Sequence, residues 1–173
     1  MASVSPRQPG PKFNQPIVVL KFGGTSVGSV PRIHHAASLA LQAQRAGDAV
    51  VVVVSAMSGE TNRLLGLAND VWEHAGFREK DALAASGEQA ASALTALAIQ
   101  SQGGQARSFQ GHQIRICTDG AFGDARITQV ETEQLLASLA RGEIPVVSGF
   151  QGVGPDGSIT TLGRGAPIRR QWH

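Results

Sequence analysis

The distribution of apolar residues along the chain predicts alternating strands and helices. Short continuous apolar runs predict strands buried on both faces, whereas apolar residues spaced three and four apart predict helices. Strands are predicted at Ile17–Phe22, Ala49–Ser55, Ala106–Phe109 and Ile144–Phe150. Helices are predicted at Val30–Ala46, Gly59–Ala75, Lys80–Gln100 and Thr132–Arg141. Because strands alternate with helices, the pattern indicates an α/β fold, a three-layer α/β/α sandwich around a mainly parallel sheet.

Local sequence signals mark where some of these elements begin and turn. Ser29 is expected to cap the helix that follows it, and Pro31 is tolerated in the first turn of that helix. The tetrapeptide Gly154–Gly157 is typical of a turn, because proline presets one backbone dihedral and glycine accepts a positive φ. This turn predicts a hairpin between Gln151–Val153 and Ser158–Thr161.

Composition is that of a soluble globular protein. The chain has 173 residues, of which 42% are hydrophobic and 16% are charged. Its apolar runs are much shorter than the ~20 residues of a membrane span, and the N-terminus lacks a signal-peptide pattern. The net charge is only +2 and the basic residues are scattered, which argues against a nucleic-acid footprint. We therefore expect a cytoplasmic protein with neither a membrane nor a nucleic acid as partner.

Histidine and cysteine do not form a predicted metal site. The segments His34-His35 and Trp72-Glu73-His74, together with His112, have no carboxylate or cysteine at ligand spacing to complete one. Cys117 is the single cysteine, which excludes an internal disulfide and a thiolate cluster. Surface or packing roles are therefore expected for the histidines, and a reduced, buried or half-buried thiol for Cys117.

The segment Lys21–Gly28, KFGGTSVG, is the strongest local indication of chemistry. It places a lysine at the end of a strand, followed by glycines and then by a helix. Glycines let consecutive N–H groups converge on phosphate oxygens, the helix adds its positive dipole end, and lysine adds a mobile charge. The alternative is that the glycines only make a tight turn while Lys21 is solvated, and glycine spacing leaves both open. The glycine orders of the P-loop and of the dinucleotide-binding fingerprint are both absent.

Five motifs together resemble the aspartate kinases. They occur in order between Ile17 and Gly165, as KFGGTSVG, VVVVSAMSGETNRLL, SGEQ, GFQGV and TTLGRG. The resemblance implies the amino-acid-kinase fold, also called carbamate-kinase-like, in incomplete form. It implies that ATP, with Mg²⁺, phosphorylates L-aspartate to 4-phospho-L-aspartate, a step of lysine, threonine and methionine biosynthesis. L-aspartate and ATP would be the partners, and a homodimer is left open.

The resemblance also implies roles for individual residues. Lys21 would be the catalytic residue and would contact the transferring phosphate. The residues that would bind ATP or its phosphates are Lys21, Phe22, Gly23, Gly24 and Ser55. Those that would bind the amino-acid substrate are Ser26 and Thr61 through hydroxyls, Glu88 through the α-amino group and Arg164 through a carboxylate. An anion, hydroxyls and a guanidinium suit a zwitterionic diacid.

The end of the chain departs from the motif pattern. In aspartate kinases the sequence GRG continues as GSDTSA, whereas here Gly163-Arg164-Gly165 is followed by Ala166–His173. Codons for GSDTSAVA read as this octapeptide when their first base is deleted, so we expect a one-nucleotide deletion. We thus expect residues 166–173 to be an out-of-frame tail and residues 16–165 to be the substrate-binding part of the kinase domain. Residues 1–15, with three prolines and no apolar period, are expected to be a flexible leader.

Such a truncation leaves alternatives to an active kinase. We expect ATP binding to be crippled, since the aspartate of GSDTSA and the later adenine-binding segments would be lost. The chain could instead be a non-catalytic fragment that binds aspartate or dimerises. Another amino-acid kinase, acting on acetylglutamate, glutamate or UMP, is the third reading. Thr61, Glu88 and Arg164 favour a free amino acid over these substrates, except glutamate.

Overall fold

Eight strands and four helices lie within residues 15–163, the part of the chain that the computed structural model describes. The strands are β1 (Ile17–Phe22), β2 (Ala49–Val54), β3 (Ala106–Phe109), β4 (Ile116–Thr118), β5 (Ile127–Val130), β6 (Ile144–Ser148), β7 (Gln151–Val153) and β8 (Ile159–Thr161). The helices are α1 (Val30–Arg45), α2 (Glu60–Val71), α3 (Phe77–Ser101) and α4 (Glu133–Ala140). The expected tail and nearly all of the expected leader lie outside the described residues.

The main sheet is parallel throughout and has the strand order β1-β2-β6-β3. Its central strands β2 and β6 are almost completely buried, as their continuous apolar sequences predict. One face of β2, with Val50, Val52 and Val54, packs in a cluster with α1 and α3. The opposite face, with Val51, packs in a second cluster with Leu139 of α4. The predicted three-layer α/β/α arrangement is confirmed.

A second sheet has the order β5-β4-β7-β8; its strands β4 and β5 lie between β3 and β6 along the chain, and β7 and β8 follow β6. It is mixed, since β4 pairs in parallel with β7 while β4–β5 and β7–β8 are antiparallel. The predicted hairpin β7–β8 is confirmed, with its turn closed by a Gly154 N–H bond to the Ser158 carbonyl of 2.8 Å. Strands β4 and β5 were not predicted. They are three and four residues long, and every residue of β5 is exposed, so neither gives a periodic apolar signal.

Two helix boundaries differ from the prediction. Helix α2 ends at Val71 rather than Ala75, because Trp72 adopts an extended backbone (φ −162°, ψ 112°). Helix α3 begins at Phe77 rather than Lys80. Phe77 is 66% exposed, so the first turn of α3 adds nothing to the buried periodic face from which the helix was predicted. The other predicted ends lie within two residues of those observed.

The predicted cap of α1 is only partly correct. Ser29 occupies the N-cap position with extended backbone angles (φ −155°, ψ 160°), but its side chain makes no capping hydrogen bond. An N-cap hydroxyl ordinarily accepts from the N–H of the second or third helical residue. Pro31 stands at the second position and has no N–H, so one of the two donors is missing.

Substitution of Gly152 by alanine is expected to destabilise the second sheet. A Cβ atom at Gly152 would lie 2.4 Å from Thr118 Cγ2 and 2.7 Å from the Ile116 carbonyl oxygen, and the backbone oxygen cannot rotate away. We expect Gly152→Ala to lower the free energy of unfolding by about 1–3 kcal/mol in urea titrations. Gly66→Ala is the control, because its Cβ meets nothing within 4 Å in a helix, where alanine is favoured. Equal stability of the two variants would contradict the close approach.

Candidate functional site

The loops after β1, β2 and β6 leave the same edge of the main sheet. Hydrogen bonds continue past the strand ends, from the Ser55 N–H to the Phe22 carbonyl (3.1 Å) and from the Gly149 N–H to the Val54 carbonyl (2.8 Å). Ligands of open parallel sheets bind in the crevice beyond the carboxyl ends of the strands. The candidate site is therefore at this edge, where the sequence also placed Lys21 and the glycine loop.

Two glycines of the loop after β1 have different surroundings. A Cβ at Gly24 would lie 2.8 Å from the Ala56 carbonyl oxygen, and the Gly24 carbonyl accepts the Ser58 N–H at 3.1 Å. Gly24 is therefore where the β1 loop contacts the β2 loop, and a larger residue would separate them. A Cβ at Gly23 would meet no atom of residues 15–163 within 4 Å. Open space next to Gly23 is what a phosphate group would require.

Lys21 is the penultimate residue of β1, and its side chain is exposed. Burial raises the pKa of the Glu88 carboxyl, and the positive charge of Lys21 partly opposes that increase. Phe22 and Ser55, the other residues assigned to the phosphates, are half-buried at the ends of β1 and β2. The structure thus brings Lys21, the glycine loop after β1 and Ser55 to one edge of the sheet.

Glu88 lies in the middle of α3 and is only 2% exposed. Its Oε1 accepts the Ala56 N–H at 3.3 Å, and its Oε2 accepts the Phe150 N–H at 2.6 Å. Burial raises the pKa of the Glu88 carboxyl to about 7, against the two backbone hydrogen bonds and the charge of Lys21, which lower it. Glu88 is therefore a buried carboxyl that joins the loops after β2 and β6.

The remaining substrate residues lie in different places. Thr61 is half-buried in the first turn of α2, directly beyond the β2 loop. Ser26 is exposed and lines a cleft of about 370 Å³ against α1, together with Phe22 and Arg32. Arg164 lies outside the described residues. The structure accordingly groups Thr61 with the β2 loop and puts Ser26 on the α1 side of the glycine loop.

Sequence reasoning missed the polar groups that surround Glu88. The Ser148 hydroxyl lies 3.2 Å from the Ser92 hydroxyl and 3.5 Å from the Glu88 carbonyl oxygen, and all three residues are buried. Ser92 is four residues after Glu88, on the same helix face. Phe150 belongs to the GFQGV motif, which was recognised without a role for any residue. The sequence offered a signal only for Ser92, a polar residue four positions after Glu88 in an alanine-rich helix.

Of the histidines singled out in the sequence, His35 lies close to this edge, since it lines the same cleft as Ser26. Among residues 15–163, no three His, Cys, Asp or Glu side chains are grouped so that they could hold a metal ion. Cys117 is free and half-buried, as predicted, and its thiol donates to the Arg115 carbonyl at 3.5 Å. Within the same described range, no helix combines the length and apolar character that a membrane span requires.

Two curated proteins with similar sequences are both aspartokinases. The chain is 51% identical over 149 residues to an aspartokinase of Pseudomonas aeruginosa, covering 86% of this chain and 36% of that one. It is 46% identical over 149 residues to aspartokinase 2 of Bacillus subtilis, again covering 86% of this chain and 36% of the relative. The chain therefore spans about a third of the length of these curated relatives.

Solved structures superpose on the same part of the chain. Aspartate kinase from Synechocystis matches with a TM-score of 0.70 and 39% identity, over 86% of this chain and 24% of that one. Aspartokinase III of E. coli, in complex with aspartate and ADP, matches with a TM-score of 0.74 and 25% identity, over 87% of this chain and 44% of that one. Residues 16–166, which include every strand and helix described above, match the amino acid kinase family, and the chain belongs to that family.

Proposed function

We propose that this chain forms the substrate-binding part of an aspartate kinase. The reaction is transfer of the γ-phosphoryl group of ATP to the β-carboxylate of L-aspartate, which gives 4-phospho-L-aspartate for lysine, threonine and methionine biosynthesis in the cytoplasm. The observation that carries the proposal is the buried Glu88 beside the open glycine loop, at the ligand-binding edge of the sheet. Relatives about half identical to the chain are named aspartokinases.

The phosphate subsite is proposed to lie in the open space at Gly23. Phosphoryl transfer requires mainly positioning of the phosphates and stabilisation of the charge that develops on them. Gly23 and Gly24 would supply N–H groups, and the exposed Lys21 would supply a mobile positive charge to the transferring group. Phe22 and Ser55 would complete the walls of this subsite from the ends of β1 and β2.

The amino-acid subsite is proposed to lie between the β2 loop and Glu88. The α-ammonium group of L-aspartate would pair with the Glu88 carboxylate, which keeps lone pairs besides those used by the Ala56 and Phe150 N–H groups. Ser26 and Thr61 are proposed as hydroxyl contacts, and Arg164, outside the described residues, as the partner of a carboxylate. The two charges of opposite sign would fix the orientation of the amino acid.

Mg²⁺ is proposed to reach the site as its complex with ATP. Bound there, it would neutralise part of the charge of the phosphates. Within residues 15–163 no cluster of His, Cys, Asp or Glu suits a metal ion, so no residue of the chain is assigned to it. What these residues contribute is the position of the phosphates and of the acceptor carboxylate.

The proposed function is tested by calorimetric titration of the chain with L-aspartate, compared with L-glutamate, N-acetyl-L-glutamate and UMP. Aspartate-dependent release of ADP from MgATP is measured in parallel. We expect binding of L-aspartate in preference to the other three compounds. Binding with ADP release would support a kinase, and binding without ADP release would indicate a fragment that only binds its substrate. Absence of aspartate binding by the folded chain would reject the proposal.

Replacing Lys21 with methionine is expected to weaken nucleotide binding or turnover without changing the stability of the fold. Lys21 is exposed, so its loss should leave the unfolding midpoint unchanged. We expect Lys21→Met to lower ADP release by a factor of about 10²–10³, or MgATP affinity by about tenfold if the chain only binds. Lys80→Met, in the first turn of α3, is the control and should change neither quantity. Equal effects of the two substitutions on ADP release or MgATP affinity would mean that Lys21 does not contact the nucleotide.

A further inference from the structure

Helix α3 carries two buried carboxylates on one face. Asp81 is 3% exposed and Glu88 is 2% exposed. They are seven residues apart, which is two helical turns, so they project from the same side of the helix. Glu88 belongs to the proposed amino-acid subsite, whereas no role has been assigned to Asp81. A buried carboxylate is expensive unless it is fully hydrogen-bonded, so the partners of Asp81 indicate what it holds.

Within residues 15–163, every hydrogen bond made by the Asp81 carboxylate comes from the second sheet or from the loop between β4 and β5. Its Oδ2 accepts the N–H groups of Gly123 and Thr161, each at 2.9 Å. Its Oδ1 accepts the Thr161 hydroxyl at 2.7 Å. Bonds to an ionised acceptor are stronger than bonds between neutral groups. Asp81 therefore fastens the end of β8 to α3.

A continuous set of hydrogen bonds leads from the end of β8 back to Glu88. The Leu162 N–H, next to Thr161, donates to the Phe150 carbonyl at 3.0 Å. The Phe150 N–H donates to Glu88 Oε2 at 2.6 Å. The path leaves α3 at Asp81, passes through Thr161, Leu162 and Phe150, and returns to α3 at Glu88. A shift of Thr161 would move the backbone of Phe150. Because the Phe150 N–H is bound to Glu88, the Glu88 carboxylate would move with it.

We propose that Asp81 is a positioning residue for substrate binding, which fixes the end of β8 and, through Leu162 and Phe150, the orientation of the Glu88 carboxylate. The proposal rests on the proposed function in one respect, which is that L-aspartate is the ligand at Glu88. Asp81 itself does not touch the substrate. Its contribution is the geometry of its three hydrogen bonds, since all of its acceptor atoms face the second sheet and its loop.

Two substitutions separate geometry from charge. In Asp81→Asn, the amide oxygen can accept both N–H groups while the amide nitrogen donates to the Thr161 hydroxyl, so the network is kept. In Asp81→Ala all three bonds are lost. We expect Asp81→Ala to weaken L-aspartate binding at least about tenfold in calorimetry, and Asp81→Asn by less than about threefold. Equal weakening by both variants would overturn the proposal, because it would make the charge decisive.

Ile99→Ala is the control that shows whether a loss of stability by itself weakens L-aspartate binding. Ile99 is completely buried near the other end of α3, in the cluster with α1 and β2, and contacts neither carboxylate network. This truncation is expected to lower the unfolding midpoint as well, while the dissociation constant of L-aspartate stays within about threefold of the unsubstituted chain. If Ile99→Ala weakens binding as much as Asp81→Ala, Asp81 has only a structural role.

Amide hydrogen exchange without ligand distinguishes failure of this proposal from failure of the proposed function. We expect the Leu162 and Phe150 N–H groups to exchange about tenfold faster or more in Asp81→Ala, and near the unsubstituted rate in Asp81→Asn. If exchange responds in this way but the chain does not bind L-aspartate, the proposed function is rejected, while the role of Asp81 in fixing β8 and Glu88 is supported. If the chain binds L-aspartate and neither exchange nor affinity responds, the positioning role is rejected.

Thr161→Val is the variant to use if Asp81→Ala does not fold. It removes only the hydroxyl bond to Asp81 and keeps the Thr161 N–H and a β-branched side chain in β8. We expect it to weaken L-aspartate binding by about two- to fivefold, in the same direction as Asp81→Ala. An affinity equal to that of the unsubstituted chain would overturn the proposal.

Discussion

Replacing Glu88 with glutamine is expected to remove a decline in stability between about pH 4.5 and pH 7. Burial raises the pKa of Glu88 from 4.5 to about 7, so the folded chain holds a proton that the unfolded chain releases. The stabilisation from this proton is full below pH 4.5 and is lost as pH rises through about 7, a loss of about 3 kcal/mol. Glutamine does not titrate, and Glu88→Gln should lack this component.

The measurement is urea unfolding of both forms at intervals from pH 4.5 to pH 8. The difference in unfolding free energy between the original chain and Glu88→Gln should fall across this range. Other titrating groups are common to both forms and cancel in the difference. A constant difference would mean that Glu88 ionises near its ordinary pKa, and hence that it is more hydrated than its burial indicates.

The same titration makes a prediction for substrate binding. A substrate ammonium group favours the ionised form of Glu88, so affinity for L-aspartate should rise with pH through about 7 and then level off. Binding at lower pH should release protons, which calorimetry in buffers of different ionisation enthalpy detects. In Glu88→Gln, affinity should be weaker by about a hundredfold and independent of pH. A pH-dependent affinity that survives the substitution would place the ammonium group elsewhere.

Alanine substitutions at Gly23 and Gly24 are expected to have opposite effects on stability. A Cβ at Gly24 would lie 2.8 Å from the Ala56 carbonyl oxygen, so one of two backbone loops must move. We expect Gly24→Ala to lower the unfolding free energy by about 1–3 kcal/mol. Gly23 has neither a close neighbour nor a positive φ, and Gly23→Ala should leave stability unchanged or raise it by about 0.4–1 kcal/mol.

Binding measurements on this pair separate a structural glycine from one that makes room for a ligand. If the space at Gly23 holds a phosphate, Gly23→Ala should weaken MgATP binding about tenfold or more while its unfolding midpoint is maintained. Gly24→Ala should weaken MgATP and L-aspartate together, because the Ala56 N–H bound to Glu88 belongs to the displaced loop. A Gly23→Ala variant that binds MgATP normally would place the phosphates away from this carbon.

The main sheet and its helices could be predicted because their signals are local. β2 reads as an unbroken run of valines, and a strand buried on both faces has that composition. The helices repeat apolar residues at helical spacing over many turns, so an error of a few residues at Phe77 does not change the assignment. The glycine loop and the turn at Gly154–Gly157 follow from the backbone freedom of glycine. Each single strand, helix or turn among these features is encoded in one continuous segment of the chain.

The second sheet and the state of Glu88 could not be predicted in the same way. β4 and β5 are short and β5 is exposed, so their pairing depends on contacts with β7, which lies more than twenty residues later. Glu88 was assigned by resemblance as a partner of an α-amino group, a role that stays a prediction. That it is buried, and that its oxygens accept the N–H groups of Ala56 and Phe150, depends on residues 32 and 62 positions away.

Local periodicity and motif order were enough to predict the α/β/α sandwich, the glycine loop at the end of β1 and the family. Which polar groups share a buried environment follows from contacts between distant segments, which these patterns do not contain. Asp81 and Glu88 look alike as acidic residues of one helix, but the loops packed against α3 turn one into an anchor for β8 and the other into a carboxyl with a pKa of about 7. Desolvation and hydrogen bonding act between segments that are distant along the chain, and the fold alone brings those segments together.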